Sequence, residues 1–383
     1  MSKPEVNHQK NKTNQKSKFE IQPAKHIERL VPYKTSEAFR TMLRQEVFRY
    51  VNHKYVAKLD YNESVYPPSP KVIKSVKKAL KSYPLNWYPD PDYLELKNEI
   101  EKVHEGKVGF ENILITNGSC EALAVIAKTY CNHDQEVLLI SPTYDYLRYS
   151  AEAEGIKVKN FFLDKQFRFN FDDFKKSVNK KTKVVYLVNP NNPTGTTYSV
   201  KQLKEIAAYL ESKKVILIVD EAYLEYTNLP SAINLMKGFS NIVVTRTFSK
   251  AYGLANFRVG YLISNEKNIK WMDKLIPDFP ITTISEDAAI AALKDQKYLL
   301  KNVAKINQDR ELLVNGLKNK GYTVFNTPAS YILVQVEDVE KVNNLLSKNN
   351  IVVRPKKHIY PLDNFIRITI GTRSDCKKVL SLL

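Results

Sequence analysis

Short apolar runs alternate with amphipathic stretches from about residue 110 onward, and this alternation constrains the fold more than any other feature of the sequence. The runs are nearly continuous in Val, Ile and Leu, which is typical of strands that are covered on both faces. The strand candidates are ILIT at 113–116, EVLLIS at 136–141, VKNFFL at 158–163, KVVYLV at 183–188, VILIVD at 215–220 and NIVVTRTF at 241–248. Apolar residues at helical spacing lie between them, as in VKQLKEIAAYLESKK at 200–214. The alternation predicts an α/β fold with a large, mostly parallel sheet and right-handed crossovers.

The pattern changes near residue 285, where a smaller α+β domain is predicted to begin. A long helical pattern over about 297–320 ends at Gly321, and strand and helix candidates alternate after it. The segment that precedes the large domain is rich in proline, and we expect it to pack on the small domain and on a dimer partner. The predicted divisions are a disordered basic tail at 1–20, an N-terminal segment at 21–85, a large domain at 86–284 and a small domain at 285–383.

The composition indicates a globular protein with a large core. Hydrophobic residues make up 43% of the 383 residues, which is too many for a chain that stays unfolded. The three cysteines form no C-x-x-C pair, which argues against a zinc site and favours a reducing compartment. No apolar run approaches the roughly 18 residues of a membrane helix, and the N-terminus lacks the apolar core of a secretory signal. We therefore expect a cytoplasmic protein without a metal or a membrane partner.

The chain is strongly basic, with 59 Lys and Arg against 41 Asp and Glu and a formal net charge of +18. One interpretation is binding to nucleic acid or another polyanion, which would show steep salt dependence. The alternative is a lysine-rich protein with a site for acidic metabolites. The lysines are scattered and form no single stripe, which favours the metabolite site and argues against a nucleic-acid partner.

Polar residues follow three of the predicted strands. Asn192 lies in the turn NPNNPTG, Asp220 ends VILIVD, and Lys250 follows NIVVTRTF. Because ligands bind outside the carboxyl ends of parallel strands, these side chains are expected to share one crevice. Burial would lower the pKa of the Lys250 amine and make it a nucleophile toward aldehydes, while a buried Asp220 carboxylate would need a cation. Taken singly, each residue has a plain structural alternative. Asn192 could simply form a turn, Asp220 could cap a helix or a turn, and Lys250 could be a surface lysine.

A second group of residues suits an anion and a flat ring. Ser119 and Cys120 follow Gly118 at a strand-to-helix junction, where backbone N–H groups attract anions, although Cys120 itself could be a small buried residue. Arg258, eight residues after Lys250, could hold a phosphate beside Ser249. Two tyrosines complete the set. Tyr223 could donate a hydrogen bond from its phenol, and the ring of Tyr144 could stack on a flat ring or simply fill the core. Together these residues describe a pocket for pyridoxal 5′-phosphate (PLP).

At these separations the motifs resemble those of fold-type I PLP enzymes of the class I/II aminotransferase superfamily, and most closely its histidinol-phosphate aminotransferase branch. The resemblance covers nearly everything after about residue 25. Besides the motifs above, it includes LVPY at 30–33, LDYNES at 59–64, WYPD at 87–90 and IRITIGTR at 366–373. It implies a seven-stranded sheet in the large domain, Lys250 as the covalent anchor of PLP and the catalytic base, and Asp220 as the partner of the ring nitrogen.

The remaining roles are also implied by the resemblance. The ring contacts would be Asn192, Tyr223 and Tyr144, and the phosphate contacts Ser119, Cys120, Ser249 and Arg258. Tyr88 would reach the cofactor phosphate of the neighbouring subunit, which implies a homodimer with shared active sites. The substrate would be held by Tyr33, Arg354 and Arg367, and a buried arginine such as Arg367 needs an anion. For Arg354, a surface position beside two lysines is the alternative.

The resulting hypothesis is a PLP-dependent aminotransferase of amino-acid biosynthesis. It would move an amino group between glutamate or 2-oxoglutarate and a small phosphorylated substrate, with histidinol phosphate as the first candidate. Another small phosphorylated ketone, of the dihydroxyacetone phosphate type, is the second. A decarboxylase of an O-phospho amino acid is the rival, because two arginines that grip a phosphate could leave a carboxylate free to depart.

Overall fold

The computed structural model describes residues 23–31, 57–357 and 359–383. The predicted tail and Tyr33 lie outside these ranges. The strands are β1 Ala57–Lys58, β2 Ile113–Asn117, β3 Glu136–Ser141, β4 Lys157–Phe162, β5 Thr182–Val188, β6 Ile216–Asp220, β7 Ile242–Thr247, β8 Val259–Ile263, β9 Thr323–Asn326, β10 Tyr331–Gln335, β11 Ile351–Val352, β12 Arg354–Pro355 and β13 Phe365–Thr369. The helices are α1 Lys25–Glu28, α2 Pro70–Ser82, α3 Leu94–Val103, α4 Gly118–Tyr130, α5 Tyr146–Ala153, α6 Phe171–Ser177, α7 Val200–Ser212, α8 Glu266–Asp273, α9 Thr283–Leu293, α10 Gln296–Asn319, α11 Val339–Lys348 and α12 Arg373–Leu382.

The large sheet has seven strands in the order β2-β8-β7-β6-β5-β3-β4. Strands β3 to β7 pair in parallel with one another, whereas β8 runs antiparallel to both of its neighbours. Six of the seven strands are buried along most of their length, as their Val, Ile and Leu content predicts, whereas the edge strand β4 is mostly exposed. The predicted large, mostly parallel sheet is confirmed, and β8 is the strand that the sequence patterns did not single out.

The order β5, β6, β7 places three strand ends side by side. Val188 pairs with Asp220, and Asp220 pairs with Thr245 on the next strand. The turn that holds Asn192, the last residue of β6 and the loop that holds Lys250 therefore start at the same edge of the sheet.

Helix α4 begins directly after β2, and its first turn packs against β8. Gly118 has φ +70°, a left-handed conformation that favours glycine, and it starts the helix without an intervening loop. A Cβ at Gly260 of β8 would overlap the backbone of Gly118 and Ser119. The missing side chain at Gly260 thus lets the N-terminus of α4 approach the sheet.

The C-terminal part forms a four-stranded antiparallel sheet in the order β12-β13-β10-β9. Helices α10 and α12 pack together, and both contribute apolar side chains to the core of this sheet. Strand β1 pairs in parallel with β11, and the Thr369 N–H donates to the Leu59 carbonyl oxygen at 2.9 Å. The segment that begins at residue 57 is therefore fixed to the small sheet, which confirms the predicted smaller C-terminal unit of sheet and helices.

The domain division at residue 285 stays a prediction, and that position lies inside α9. Ala288 and Leu293 of this helix are buried in the core of the large sheet. Among the described residues, no helix is both long enough and apolar enough to cross a membrane.

We expect Gly260→Ala to lower the free energy of unfolding by about 1–3 kcal/mol, because the added methyl group would push the start of α4 away from β8. Urea denaturation of the apoprotein measures this loss. Gly238→Ala is the matched control, since Gly238 is exposed and its Cβ would meet only the Leu235 carbonyl oxygen, at 3.7 Å. Equal losses in the two variants would contradict the close approach of α4.

Candidate active site

Asp220 is a buried carboxylate held by hydrogen-bond donors. It accepts a hydrogen bond from the Tyr186 hydroxyl at 2.8 Å and one from the Ala222 N–H at 3.0 Å. Burial raises the pKa of Asp220, and no Lys or Arg of the described chain forms an ion pair with it. A cation placed against this carboxylate would therefore be strongly favoured.

Asn192 and Tyr223 lie beside each other at the same edge of the sheet. The Asn192 amide donates to the Tyr223 hydroxyl at 3.3 Å, and the Asn62 amide donates to the same hydroxyl at 3.0 Å. The Asn62 amide oxygen in turn accepts from the Thr369 hydroxyl at 3.1 Å. The residues that follow β1 are thus part of the site.

Arg367 is buried and reaches into this network from β13. One guanidinium nitrogen donates to the Asn192 amide oxygen at 2.7 Å, and another donates to the Asp60 carbonyl oxygen. Arg354 pairs directly with Arg367 across β12 and β13, and its guanidinium lies 5.4 Å from the centre of the Tyr61 ring. The two arginines that the sequence predicted for the substrate therefore meet.

The Lys250 amine lies close to these groups. It donates a hydrogen bond to the Tyr61 carbonyl oxygen at 2.9 Å and lies 5.8 Å from the centre of the Tyr223 ring. Burial, followed by the nearby guanidinium of Arg367, lowers the pKa of Lys250 to about 8. A substantial fraction of this amine is therefore uncharged, and nucleophilic, near neutral pH.

An anion cradle lies at the N-terminus of α4. The Arg258 guanidinium lies against Gly118, where a Cβ would overlap it, and it donates to the Ser249 hydroxyl at 3.4 Å. Ser119 and Cys120 occupy the first turn of α4, so their N–H groups have no partner within the helix. The hydroxyls, the N–H groups and the guanidinium form a donor set that suits a phosphate.

The two other predicted contacts differ in position. The Tyr144 hydroxyl lies 3.4 Å from the Cys120 sulfur, which places the ring beside the cradle. Tyr144 lies just before α5, which begins at Tyr146 with Asp145 as its N-cap residue. Tyr88 is 82% exposed and stacks on Phe279 at 4.6 Å. Within the described part of one subunit, it forms no hydrogen bond or ring contact with the other predicted site residues.

The chain is similar to known proteins over most of its length. The model of the family "Aminotransferase class I and II" matches residues 54–383. The chain belongs to this family. It is 34% identical over 364 residues to the dihydroxyacetone phosphate transaminase Cj1437c of Campylobacter jejuni, covering 94% of this chain and 95% of that one. It is 31% identical over 334 residues to a histidinol-phosphate aminotransferase of Clostridium novyi, covering 86% and 91% of the two chains. The histidinol-phosphate aminotransferase of Sinorhizobium meliloti, solved with PLP, has the same fold, with a TM-score of 0.78 at 24% identity over 92% of this chain and 96% of that one.

This aminotransferase uses PLP, as its family does, and the described residues fit that cofactor. The buried Asp220 carboxylate forms no ion pair with a Lys or Arg of the described ranges, and a protonated ring nitrogen would supply a cation. The cradle at Arg258 and Ser249 offers donors to the phosphate, and Lys250 offers an amine to the aldehyde. Each part of the cofactor therefore has a chemically complementary group.

Three residues of the site were not found from the sequence. Tyr186 donates a hydrogen bond to Asp220, and Asn62 donates one to Tyr223. Lys356 is a buried lysine next to the two arginines. A signal existed for Tyr186, the one residue with a hydroxyl in the apolar run VVYLV, and for Asn62 within LDYNES. Lys356 in RPKK has the appearance of a surface residue, and only the pairing with β13 buries it.

We expect the rate at which PLP attaches to the apoprotein to rise from pH 7 to pH 9 with a midpoint near pH 8. Only the neutral amine attacks an aldehyde, and the pKa of Lys250 is lowered to about 8. About one amine in ten is then neutral at pH 7, against about one in three thousand for an ordinary lysine. The visible absorbance of the attached cofactor measures the rate. Nα-acetyl-lysine, which has an ordinary side-chain amine, is the first control, and its rate of attachment to PLP should still rise at pH 10. Lys250→Met is the second control and should show no absorbance band of attached cofactor. A rise that continues to pH 10 in the protein would contradict the lowered pKa.

Proposed function

We propose that this aminotransferase moves an amino group between glutamate or 2-oxoglutarate and a small phosphorylated compound. The observation that supports this class of substrate is the direct pairing of Arg354 and Arg367 on neighbouring strands. Two like charges placed opposite each other destabilise a sheet unless an anion lies between them.

The two arginines have donor capacity to spare. Arg354 Nη1 and Arg367 Nε are buried without a hydrogen-bond partner, and neither arginine forms an ion pair with a carboxylate within the described ranges. Burial lowers the pKa of Arg367, which is the sign of a cation that lacks its counter-ion. A phosphate dianion accepts several N–H groups at once and would satisfy both side chains.

The names of the relatives support this class and suggest two members of it. The relative from Campylobacter jejuni, which matches nearly its whole length, carries the name of dihydroxyacetone phosphate. The relative from Clostridium novyi carries the name of histidinol phosphate. We take dihydroxyacetone phosphate as the first amino acceptor to test and histidinol phosphate as the first phosphorylated amino donor.

The predicted roles of the cofactor contacts are part of this proposal. Asp220 would hold the ring nitrogen, and Asn192 and Tyr223 the ring oxygen. Tyr144 would cover one face of the ring. Ser249, Arg258 and the first turn of α4, with Ser119 and Cys120, would hold the phosphate.

Lys250 would carry the proton transfer. When bound, PLP supplies an aldehyde that takes up an amino group and a ring that withdraws electrons from the adjacent carbon. The Lys250 amine, whose pKa is lowered to about 8, would take up the proton from the substrate carbon that bears the amino group and hold it on Nζ. The Tyr61 carbonyl oxygen, 2.9 Å from Nζ, would orient the amine for this transfer.

A single-turnover absorbance experiment tests the proposal. PLP-loaded enzyme is mixed separately with glutamate, histidinol phosphate and O-phosphoserine, and the visible band is followed. We expect glutamate to convert the cofactor to its amine form, and dihydroxyacetone phosphate added afterwards to restore the band. The Lys250→Ala variant, expected to fold and to bind PLP without turnover, is the control.

The outcomes separate the alternatives. Conversion by histidinol phosphate, with no restoration by dihydroxyacetone phosphate, would make histidinol phosphate the substrate. Release of carbon dioxide from O-phosphoserine with the band unchanged would make the protein a decarboxylase. Turnover of glutamate only with unphosphorylated oxo acids would overturn the phosphorylated class.

An exposed aromatic segment supports the homodimer. Trp87 and Tyr88 are 73% and 82% exposed, and Leu85 is also exposed. Tyr88 stacks on the Phe279 ring, and Trp87 and Tyr88 line the same surface groove, so a monomer would leave this aromatic patch in water. We propose that this patch contacts a second copy of the chain and that Tyr88 completes the phosphate cradle of that copy.

We expect mixed dimers of Lys250→Ala and Tyr88→Ala subunits to be more active than either parent. In the mixed dimer, the subunit that keeps Lys250 receives Tyr88 from its partner, so one complete site forms. The variants are mixed, dissociated and reassociated, and the glutamate half-reaction is measured. Reassociated single variants are the controls, and activity equal to the mean of the two parents would contradict a shared site.

A further inference from the structure

Lys356 is a buried lysine for which the described chain offers no counter-ion. We propose that it is a third ligand of the substrate phosphate, beside Arg354 and Arg367. This inference rests on the proposed phosphorylated substrate and assigns to one residue the preference for a doubly charged group.

The pairing of β12 with β13 places the three cations on one face. Arg354 lies opposite Arg367, and the Lys356 N–H donates to the Phe365 carbonyl oxygen at 2.9 Å, which continues the same ladder. Because side chains alternate along a strand, Lys356 and Arg354 point to the same side of the sheet, the side on which Arg367 lies. Their Cβ atoms start within about 8 Å of one another.

The burial of Lys356 sets it apart from its neighbour. Lys356 is 8% exposed, and within the described ranges no carboxylate forms an ion pair with it. Lys357 is exposed and pairs with Glu340 at 2.5 Å. The charged form of a buried amine is costly without a counter-ion, so the charged form of Lys356 requires an anion from outside the described chain.

The buried ion pairs elsewhere in the chain show the contrast. Arg246 is 7% exposed and bonds Glu221 at 2.8 Å and Glu225 at 2.9 Å. There the chain supplies carboxylates for a structural cation. At Lys356 and the two arginines it supplies none within the described residues, which marks their counter-ion as a ligand.

The charged groups that act on Lys356 come from three elements. Arg354 lies on its own strand, Arg367 on the neighbouring strand, and Asp145 at the start of α5. Burial and the two guanidinium groups hold the pKa of Lys356 well below its usual range, and Asp145 acts in the opposite direction. Asp145 is also paired with Arg148 at 3.2 Å. The amine is therefore ready to take up a proton when a second negative charge arrives.

This arrangement suits a phosphate better than a carboxylate. A carboxylate carries one charge and can be satisfied by the two arginines alone. A phosphate dianion carries a second charge, and it would draw a proton onto Lys356 as it binds. Lys356 would thus strengthen the binding of phosphorylated substrates and couple that binding to proton uptake.

Calorimetric titration of the PLP-loaded enzyme with inorganic phosphate tests the inference. At pH 8.5 phosphate is a dianion, and two buffers of different ionisation enthalpy report the protons taken up. We expect uptake that approaches one proton in the natural enzyme and no uptake in Lys356→Met, with at least a tenfold weaker affinity. Lys357→Met, which removes the adjacent exposed lysine, should behave as the natural enzyme.

A second variant keeps the test independent of folding. Lys356→Arg carries a permanent charge, so we expect it to bind phosphate without proton uptake. Unchanged affinity and uptake in Lys356→Met, with weaker binding in Arg354→Met, would overturn the role of Lys356 and leave the proposed function in place. If the natural enzyme binds no phosphate and turns over no phosphorylated substrate, both proposals fail.

Discussion

The rest of the site depends on the hydrogen bonds that the Arg367 guanidinium donates. Arg367 lies on a strand of the small sheet. It donates a hydrogen bond at 2.7 Å to the Asn192 side chain, in a turn that follows a strand of the large sheet, and another to the Asp60 carbonyl oxygen, just after β1. Hydrogen bonds to a charged group contribute about 1.5–3 kcal/mol each, and a buried guanidinium that loses them costs more. Because Asn192 also bonds Tyr223, the position of the arginine proposed to bind the substrate is coupled to the residues proposed to hold the cofactor ring.

The same site carries charges that the described chain leaves uncompensated. Asp220 is buried with donors but without a cation, whereas Arg354, Lys356 and Arg367 are gathered without a carboxylate. Arg246, which is buried to a similar extent, has two carboxylate partners. The difference supports the ligands proposed above, which would supply the missing charge: a cationic ring nitrogen at Asp220 and a doubly charged anion at the arginines. Unpaired buried charges lower the free energy of unfolding of the ligand-free protein, and ligands that pair with these charges would raise it again when they bind.

The sequence predicted the architecture because burial of parallel strands leaves an apolar record, and it placed Asn192, Asp220 and Lys250 together because they follow neighbouring strands. It could not predict which polar residues of other segments would join them. Asn62 reaches Tyr223 only because β1 pairs with β11, and Lys356 is buried only because β12 pairs with β13. These contacts depend on three strands of two residues each, β1, β11 and β12, which carry almost no pattern of their own.

The sequence patterns did not single out strand β8, but its direction explains why Lys250 and Arg258 are eight positions apart. A parallel strand after β7 would require a crossover that carries the chain to the opposite edge of the sheet. Because β8 instead runs antiparallel to β7, the chain turns back at the edge where β7 ends, and the connecting loop holds Ser249, Lys250 and Arg258. Arg258 ends that loop with φ +57° and lies against the start of α4. The separation of eight positions from the lysine to the arginine is thus the length of a chain reversal, which brings the proposed anchor of the aldehyde and the proposed ligand of the phosphate to the same pocket.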